Sequence, residues 1–140
     1  MSKVAVVYWS GTGNTEAMAD EVIKGIEAAG AEAARFTAAE FSADQMDNFD
    51  AIAFGCPAMG AEVLEEDEFE PMFTDCEAKL KDKKIALFGS YGWGDGEWMR
   101  NWEEQCINDG AKMACDFVIA NEAPDDDAIE ACQALGKALV

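Results

Sequence analysis

Four short apolar runs, at 4–9, 51–56, 84–89 and 113–120, recur along the chain with stretches of helical spacing between them. A half-exposed strand alternates apolar and polar side chains, whereas a near-continuous apolar run marks a strand covered on both faces. Such strands, separated by helices, are joined by right-handed crossovers. The expected architecture is therefore α/β, a three-layer doubly wound parallel sheet. A weaker run at 33–36 supplies a second strand, giving five. Helices are predicted over 16–29, 70–80, 97–108 and 126–139. In the first, Met18, Val22, Ile26 and Ala29 form one apolar stripe and Gly30 is the stop. The segment 37–49 reads either as a short helix or as a loop packed through Phe41, Met46 and Phe49.

The chain has 140 residues, half of them hydrophobic, with no linker, repeat or low-complexity tract, so one domain over 1–140 is expected. The longest apolar runs fall far below the roughly 20 residues that span a bilayer, and only Lys3 precedes the first strand. A cytoplasmic, monomeric protein is expected. Its five cysteines include no C-x-x-C pair, which argues for reduced thiols rather than disulfides or a metal site. The absence of histidine excludes Ser-His and Cys-His nucleophiles. A formal charge of −19, from 10 basic and 29 acidic residues, opposes nucleic acid and anionic membranes. A protein partner should present a basic face.

In open parallel sheets, ligands sit beyond the carboxyl ends of the strands, which directs attention to three loops. The first is Ser10-Gly11-Thr12-Gly13-Asn14-Thr15, between a buried strand and a helix. Free N–H groups at a helix start favour an anion. No lysine or arginine lies between Val4 and Val22, which weakens a triphosphate loop, and Glu16 stands where the dinucleotide pattern needs its third glycine, which weakens that reading as well. A cradle of hydroxyls and amides for one terminal phosphate remains, beside the plainer reading of Thr12 or Asn14 as an N-cap. The second loop is Gly55-Cys56-Pro57-Ala58-Met59-Gly60-Ala61-Glu62, small and uncharged until its end. The third is Ser90-Tyr91-Gly92-Trp93-Gly94-Asp95-Gly96, where Trp93 is flanked by glycines and suited to stacking on a flat ring. Together they describe a monophosphate joined to a planar heterocycle.

The stretches Tyr8-Trp9-Ser10-Gly11-Thr12-Gly13-Asn14-Thr15-Glu16, Ala58-Met59-Gly60 and Phe88-Gly89-Ser90-Tyr91-Gly92-Trp93-Gly94 resemble the three flavin loops of short-chain flavodoxins of anaerobic bacteria. The resemblance runs end to end. It implies a sheet of order 2-1-3-4-5, non-covalent FMN, and low-potential one-electron transfer between semiquinone and hydroquinone. By the same resemblance, Ser10 to Thr15 hold the phosphate with a hydroxyl from Ser90, and Met59 and Trp93 enclose the ring. The Met59-Gly60 peptide faces flavin N5, rotating so that its carbonyl accepts a hydrogen bond from the N5–H, and Glu62 approaches N3. Pro57 departs from the pattern, where relatives often carry a hydroxyl near the phosphate. The loop 121–125 borders the ring. Tyr91 and Trp9 either touch the cofactor or pack on the sheet, while Trp98 and Trp102, four apart on a helix, read as core.

Acidic residues crowd the second loop at Glu62, Glu65, Glu66, Asp67, Glu68 and Glu70, and Asp95 and Glu97 flank the third. One charge at about 12 Å, in an effective dielectric of about 40, opposes added negative charge by roughly 0.7 kcal/mol, or about 30 mV. Such a rim would lower the second potential and steer a basic partner. The rival function is a small FMN-dependent reductase oxidising a nicotinamide, which needs a second phosphate turn; the sequence contains none. Receiver and phosphatase readings fail because strand three ends in Gly55-Cys56 instead of an aspartate, and Glu62 stands six positions after Cys56 where a phosphatase needs arginine.

Overall fold

The computed structural model describes residues 2–60 and 63–140. Strands β1 (Lys3–Tyr8), β2 (Glu32–Thr37), β3 (Ala51–Gly55), β4 (Lys84–Tyr91), β5 (Lys112–Met113) and β6 (Val118–Asn121) form one parallel sheet. Its order is β2-β1-β3-β4-β5, with β6 beside β4 beyond β5. Helices α1 (Asn14–Ala28), α2 (Phe69–Glu77), α3 (Glu97–Asn108) and α4 (Asp126–Ala138) cover it.

The continuous apolar runs divide residue by residue between two cores, as the period of two along a strand requires. Val4, Val6, Tyr8, Ala51, Ala53, Ala86 and Phe88 face the layer of α1 and α4. Ala5, Val7, Ile52, Phe54, Ile85 and Leu87 face α2 and α3, where Phe54, Phe69, Phe73 and Trp102 meet edge to face. On β2 the same apolar signal is weak because it is an edge strand whose residues are only partly covered. The 37–49 segment forms two 3-10 turns, each opened by a capping box. Glu40 Oε1 accepts from the Thr37 N–H at 2.9 Å and Gln45 Oε1 from the Ser42 N–H at 2.8 Å. Phe41 and Met46 are buried and Phe36, Phe41 and Phe49 cluster together.

Several expected boundaries move, and the helix expected over 70–80 ends at Glu77. The run at 113–120 is two strands, because Ile85 pairs with Met113 but Phe88 pairs with Val118, so two extra residues must loop out between them. The fourth strand continues past Gly89 to Tyr91, since its last residues pair with Ala120 and Asn121. Of the apolar stripe on α1, Met18, Val22 and Ile26 are buried, while Ala29 is an exposed C-cap before Gly30 at φ 89°.

Helices α1 and α4 touch through glycine. A Cβ on Gly25 would stand 2.0 Å from the Gln133 carbonyl oxygen, and one on Gly136 would stand 2.2 Å from that of Val22. Alanine at 136 gains up to about 1 kcal/mol of helix propensity but must push backbone off backbone, at a cost of about 1–3 kcal/mol or more. Gly136→Ala is therefore expected to lower the thermal midpoint by roughly 2–6 °C in an unfolding scan. A raised midpoint would mean that the helices yield.

Candidate functional site

Strand β1 ends at Tyr8, and the turn from Trp9 to Gly13 delivers the chain to the start of α1. Gly13, at φ 95°, takes the N-cap position without a side-chain cap. The Ser10 hydroxyl reaches across instead, accepting from the Gly13 and Glu16 N–H groups at 3.1 and 3.3 Å, while Thr12 Oγ1 accepts from Asn14 at 3.5 Å. Among the described residues, the N–H groups of Gly11, Thr12 and Thr15 find no protein acceptor. This is an anion cradle at the positive end of a 15-residue helix. The Glu16 carboxylate does not compete for it, because it accepts from the Tyr8 hydroxyl at 3.1 Å; that hydroxyl in turn accepts from Arg35, which is paired with Asp20.

Trp9 leans over the turn. A Cβ on Gly11 would lie 2.9 Å from the far edge of its indole, and its Nε1 donates to Glu68 at 3.3 Å. Behind the turn, Thr15 and Ser90 are buried and share a hydroxyl–hydroxyl bond of 3.1 Å, which ties the start of α1 to the end of β4. That bond uses one of the two hydroxyl protons, and Thr15 Oγ1 also accepts from the Ser90 N–H at 3.4 Å, so the other hydroxyl proton remains to be donated.

The second loop leaves β3 along β4, with Ala58 N donating to the Ser90 carbonyl at 3.0 Å. It turns back through a bridge between Met59 and Val63, where Met59 N donates to the Val63 carbonyl at 3.0 Å. Ala61 and Glu62 lie outside the described residues. In the third loop, Trp93 is 61% exposed and does not fold back on the domain, and Gly94 and Gly96 adopt φ 86° and 94°. Tyr91 packs on Trp98 with ring centroids 5.6 Å apart. Its carbonyl accepts from Glu122 N at 2.8 Å, which brings the 121–125 loop to the site. Glu122 stands at φ 61°, a conformation that costs an L-residue about 1–2 kcal/mol.

Several rim carboxylates are already engaged. Asp95 is paired with Arg100 at 3.0 Å, and Glu68 accepts from Trp9. Glu65, only 4% exposed, turns inward and accepts from the N–H groups of Asp67, Glu68 and Phe69, each at 2.8 Å. Burial pushes this carboxyl up, but the three backbone donors outweigh it and hold it below the usual range. Because the folded value is depressed, its stabilisation is full above the ordinary carboxylate range and is lost as acid carries the pH down through the folded value. Glu66, Asp67, Glu68 and Glu70 remain exposed. The N-terminus of α4 is closed by Asp125, which accepts from Ala128 N at 2.8 Å. With α2 closed by Glu65 as well, two of the remaining helix starts repel a second phosphate.

A cleft of about 280 Å³ gathers these parts, lined by Trp9, Gly11, Thr12, Asn14, Pro57, Ala58, Met59, Ser90, Tyr91, Gly92 and Glu122. No lysine or arginine lines it. Further hollows of about 370 Å³ between α2 and α3, and about 390 Å³ beside β6 and the Asp125-capped start of α4, lie apart from this turn. Of the expected site residues, Ser10, Gly13 and Thr15 lie in the same turn behind the lining, and Gly60, Trp93 and Gly94 lie outside it. Trp9 and Glu122 join the lining; Glu122 comes there through its bond to Tyr91, a contact no local pattern announces. An open cradle of N–H groups leading into an aromatic, largely apolar slot fits a cofactor with one anionic tail and a flat head, as FMN has.

Residues 6–136 match the Flavodoxin family. The chain is 48% identical over 135 residues to the flavodoxin of Megasphaera elsdenii, covering 96% of both, and 46% identical over 132 residues to that of Clostridium beijerinckii, covering 94% and 95%. The solution structure of the two-electron reduced Megasphaera elsdenii protein superposes with a TM-score of 0.89 at 49% identity, over 97% of both chains. An archaeal flavodoxin superposes at 0.84 with 27% identity. A helix-start cradle of free N–H groups, an aromatic slot at the sheet's carboxyl edge and near-complete alignment with these proteins converge, and the chain belongs to the flavodoxin family, FMN-binding electron carriers and not enzymes.

Proposed function

We propose that the turn 10–15 holds the FMN phosphate through its free N–H groups and the Ser10, Thr12 and Thr15 hydroxyls, that Met59 and Trp93 enclose the ring, and that the Met59-Gly60 peptide meets flavin N5. Bound FMN supplies reversible single-electron chemistry. The chain positions it. The observation that carries this reading is the set of unpaired N–H groups at Gly11, Thr12 and Thr15, opening into a cleft with no basic residue. Ser10, now accepting from Gly13 and Glu16, can turn its own proton toward an anion. Trp93, exposed and flanked by glycine, gains cover from a flat ring worth about 0.5–1.5 kcal/mol beyond its buried area.

The carrier is low-potential and works as one domain over 1–140, a monomer in the cytoplasm. Burial pushes the thiols of Cys56, Cys76, Cys106 and Cys132 up to about 12, and that of Cys115 upward, which keeps all five protonated near neutral pH and slow to oxidise. The exposed acidic groups at 66–70 face the site's rim, discourage added negative charge and favour redox partners with basic docking faces. Mixing the cofactor-free chain with FMN should give a yellow 1:1 complex with quenched tryptophan emission, reduced in two separate one-electron steps. A colourless chain after dialysis would overturn the reading, and NADPH consumption by the pure protein would favour a reductase.

A further inference from the structure

The loop between β3 and α2 is fastened at its base by an unusual pair. Cys56, fully buried at the end of β3, accepts at Sγ the N–H of Glu65 at 3.4 Å, and donates its own proton toward the Pro57 carbonyl at 3.6 Å. Its carbonyl accepts from Trp98 Nε1 at 3.1 Å, so the residue is locked from both sides. Glu65 is locked as firmly. Its carboxylate takes the first three N–H groups around the start of α2, and its carbonyl takes the N–H of Glu70 at 2.8 Å. Between these anchors, among the described residues, stand two further ties, from Ala58 N to the Ser90 carbonyl and from Met59 N to the Val63 carbonyl, each at 3.0 Å.

Stability alone does not account for this arrangement. An exposed Ser, Thr or Asp at the usual N-cap position would close α2 without taking a carboxylate out of water. Here the capping group reaches forward from a residue on the returning arm of the loop, so the cap fixes that arm to the helix, and the backbone of the same residue fixes it to β3. Met59 and Gly60 hang between the two fixed points.

We propose that Glu65 is a positioning residue for the flavin: clamped to α2 through its carboxylate and to Cys56 Sγ through its N–H, it holds the frame in which the Met59-Gly60 peptide meets N5, and so sets the first one-electron couple. This rests on the FMN reading given above. Glu65 touches no reacting atom and acts only through Met59 and Gly60.

Two variants of the FMN-loaded chain separate this role from simpler ones. Glu65→Gln keeps one acceptor and removes the charge; Cys56→Ala keeps every charge and removes the acceptor of the Glu65 N–H. In potentiometric titration both are expected to weaken the first reduction about tenfold, a fall of about 59 mV, with FMN still bound. In the cofactor-free variants the Met59 N–H should exchange with solvent at least tenfold faster. A purely electrostatic Glu65 would instead raise only the second couple in Glu65→Gln and leave Cys56→Ala unchanged, which overturns the proposal. A lowered thermal midpoint with both couples unmoved overturns it too. Should Glu65→Gln not fold, Cys56→Ala decides alone, by the same shift or its absence. Failure of the wild type to take up FMN overturns the underlying reading and this proposal together, whereas uptake with an unmoved first couple overturns this proposal only.

Discussion

Gly89→Ala should lower the thermal midpoint by about 10 °C and weaken FMN binding at least tenfold. A Cβ at this position would stand 2.2 Å from the Cys56 carbonyl oxygen and 3.2 Å from the Trp98 ring. The backbone of β3 cannot step aside at low cost, because Cys56 N is bonded to the Phe88 carbonyl at 3.1 Å and Ala58 N to that of Ser90 at 3.0 Å. Moving it breaks one or both bonds and the Trp98 bond to Cys56. Overpacking a rigid core costs about 1–3 kcal/mol and more where backbone meets backbone, so about 3 kcal/mol is expected, at roughly 2–4 °C per kcal/mol for a chain of this size. The same displacement carries Pro57, Ala58 and Met59 away from the cleft, so affinity falls with stability. A variant that melts like the wild type would show that the strands separate freely here, and calorimetry with FMN titration measures both effects.

What the sequence reveals and what it conceals follow from how local each cause is. The central strands announce themselves because both of their faces are buried, and α3 runs over Glu97–Asn108 as its spacing predicts. The turn between β1 and α1 is legible too, because glycines and hydroxyls interrupt the apolar run after Trp9 and the helical spacing resumes beyond them. The reach of Ser90 into the core is not, since its partner Thr15 is 75 residues away. Nor is the inward turn of Glu65, which in sequence is one more acidic residue in an acidic run but in space is a buried cap. The two residues that loop out between β5 and β6 are hidden inside one apolar stretch, because hydropathy records burial and not register. Gly25 and Gly136 carry no local signal either; a glycine inside a helix shows its purpose only when the neighbouring helix is in place.

Gly60→Ala is expected to lower the first one-electron couple by about 45–90 mV while leaving the affinity for oxidised FMN within about threefold of the wild type. In the present conformation alanine fits, for a Cβ on Gly60 meets nothing within 4 Å and the φ of this residue lies outside the left-handed region. The cost must therefore arise elsewhere. Turning the Met59-Gly60 peptide so that its carbonyl points into the cleft rotates the φ of residue 60 by roughly half a turn, which carries it toward positive values. There an L-residue is disfavoured by about 1–2 kcal/mol and glycine is not. Since 1.36 kcal/mol corresponds to 59 mV for a single electron, the whole penalty appears in the reduction that requires the turn. The bond gained, a carbonyl accepting from a protonated ring nitrogen, is worth about 0.5–1.5 kcal/mol net, so the penalty is large enough to cancel it. Spectroelectrochemical titration resolves the two couples, and an unmoved first couple would mean that this peptide keeps its orientation when FMN accepts an electron. Comparison with Glu65→Gln then separates the two contributions: alanine at 60 penalises the turn itself, whereas glutamine at 65 loosens the frame around it, so only the latter should speed hydrogen exchange at Met59.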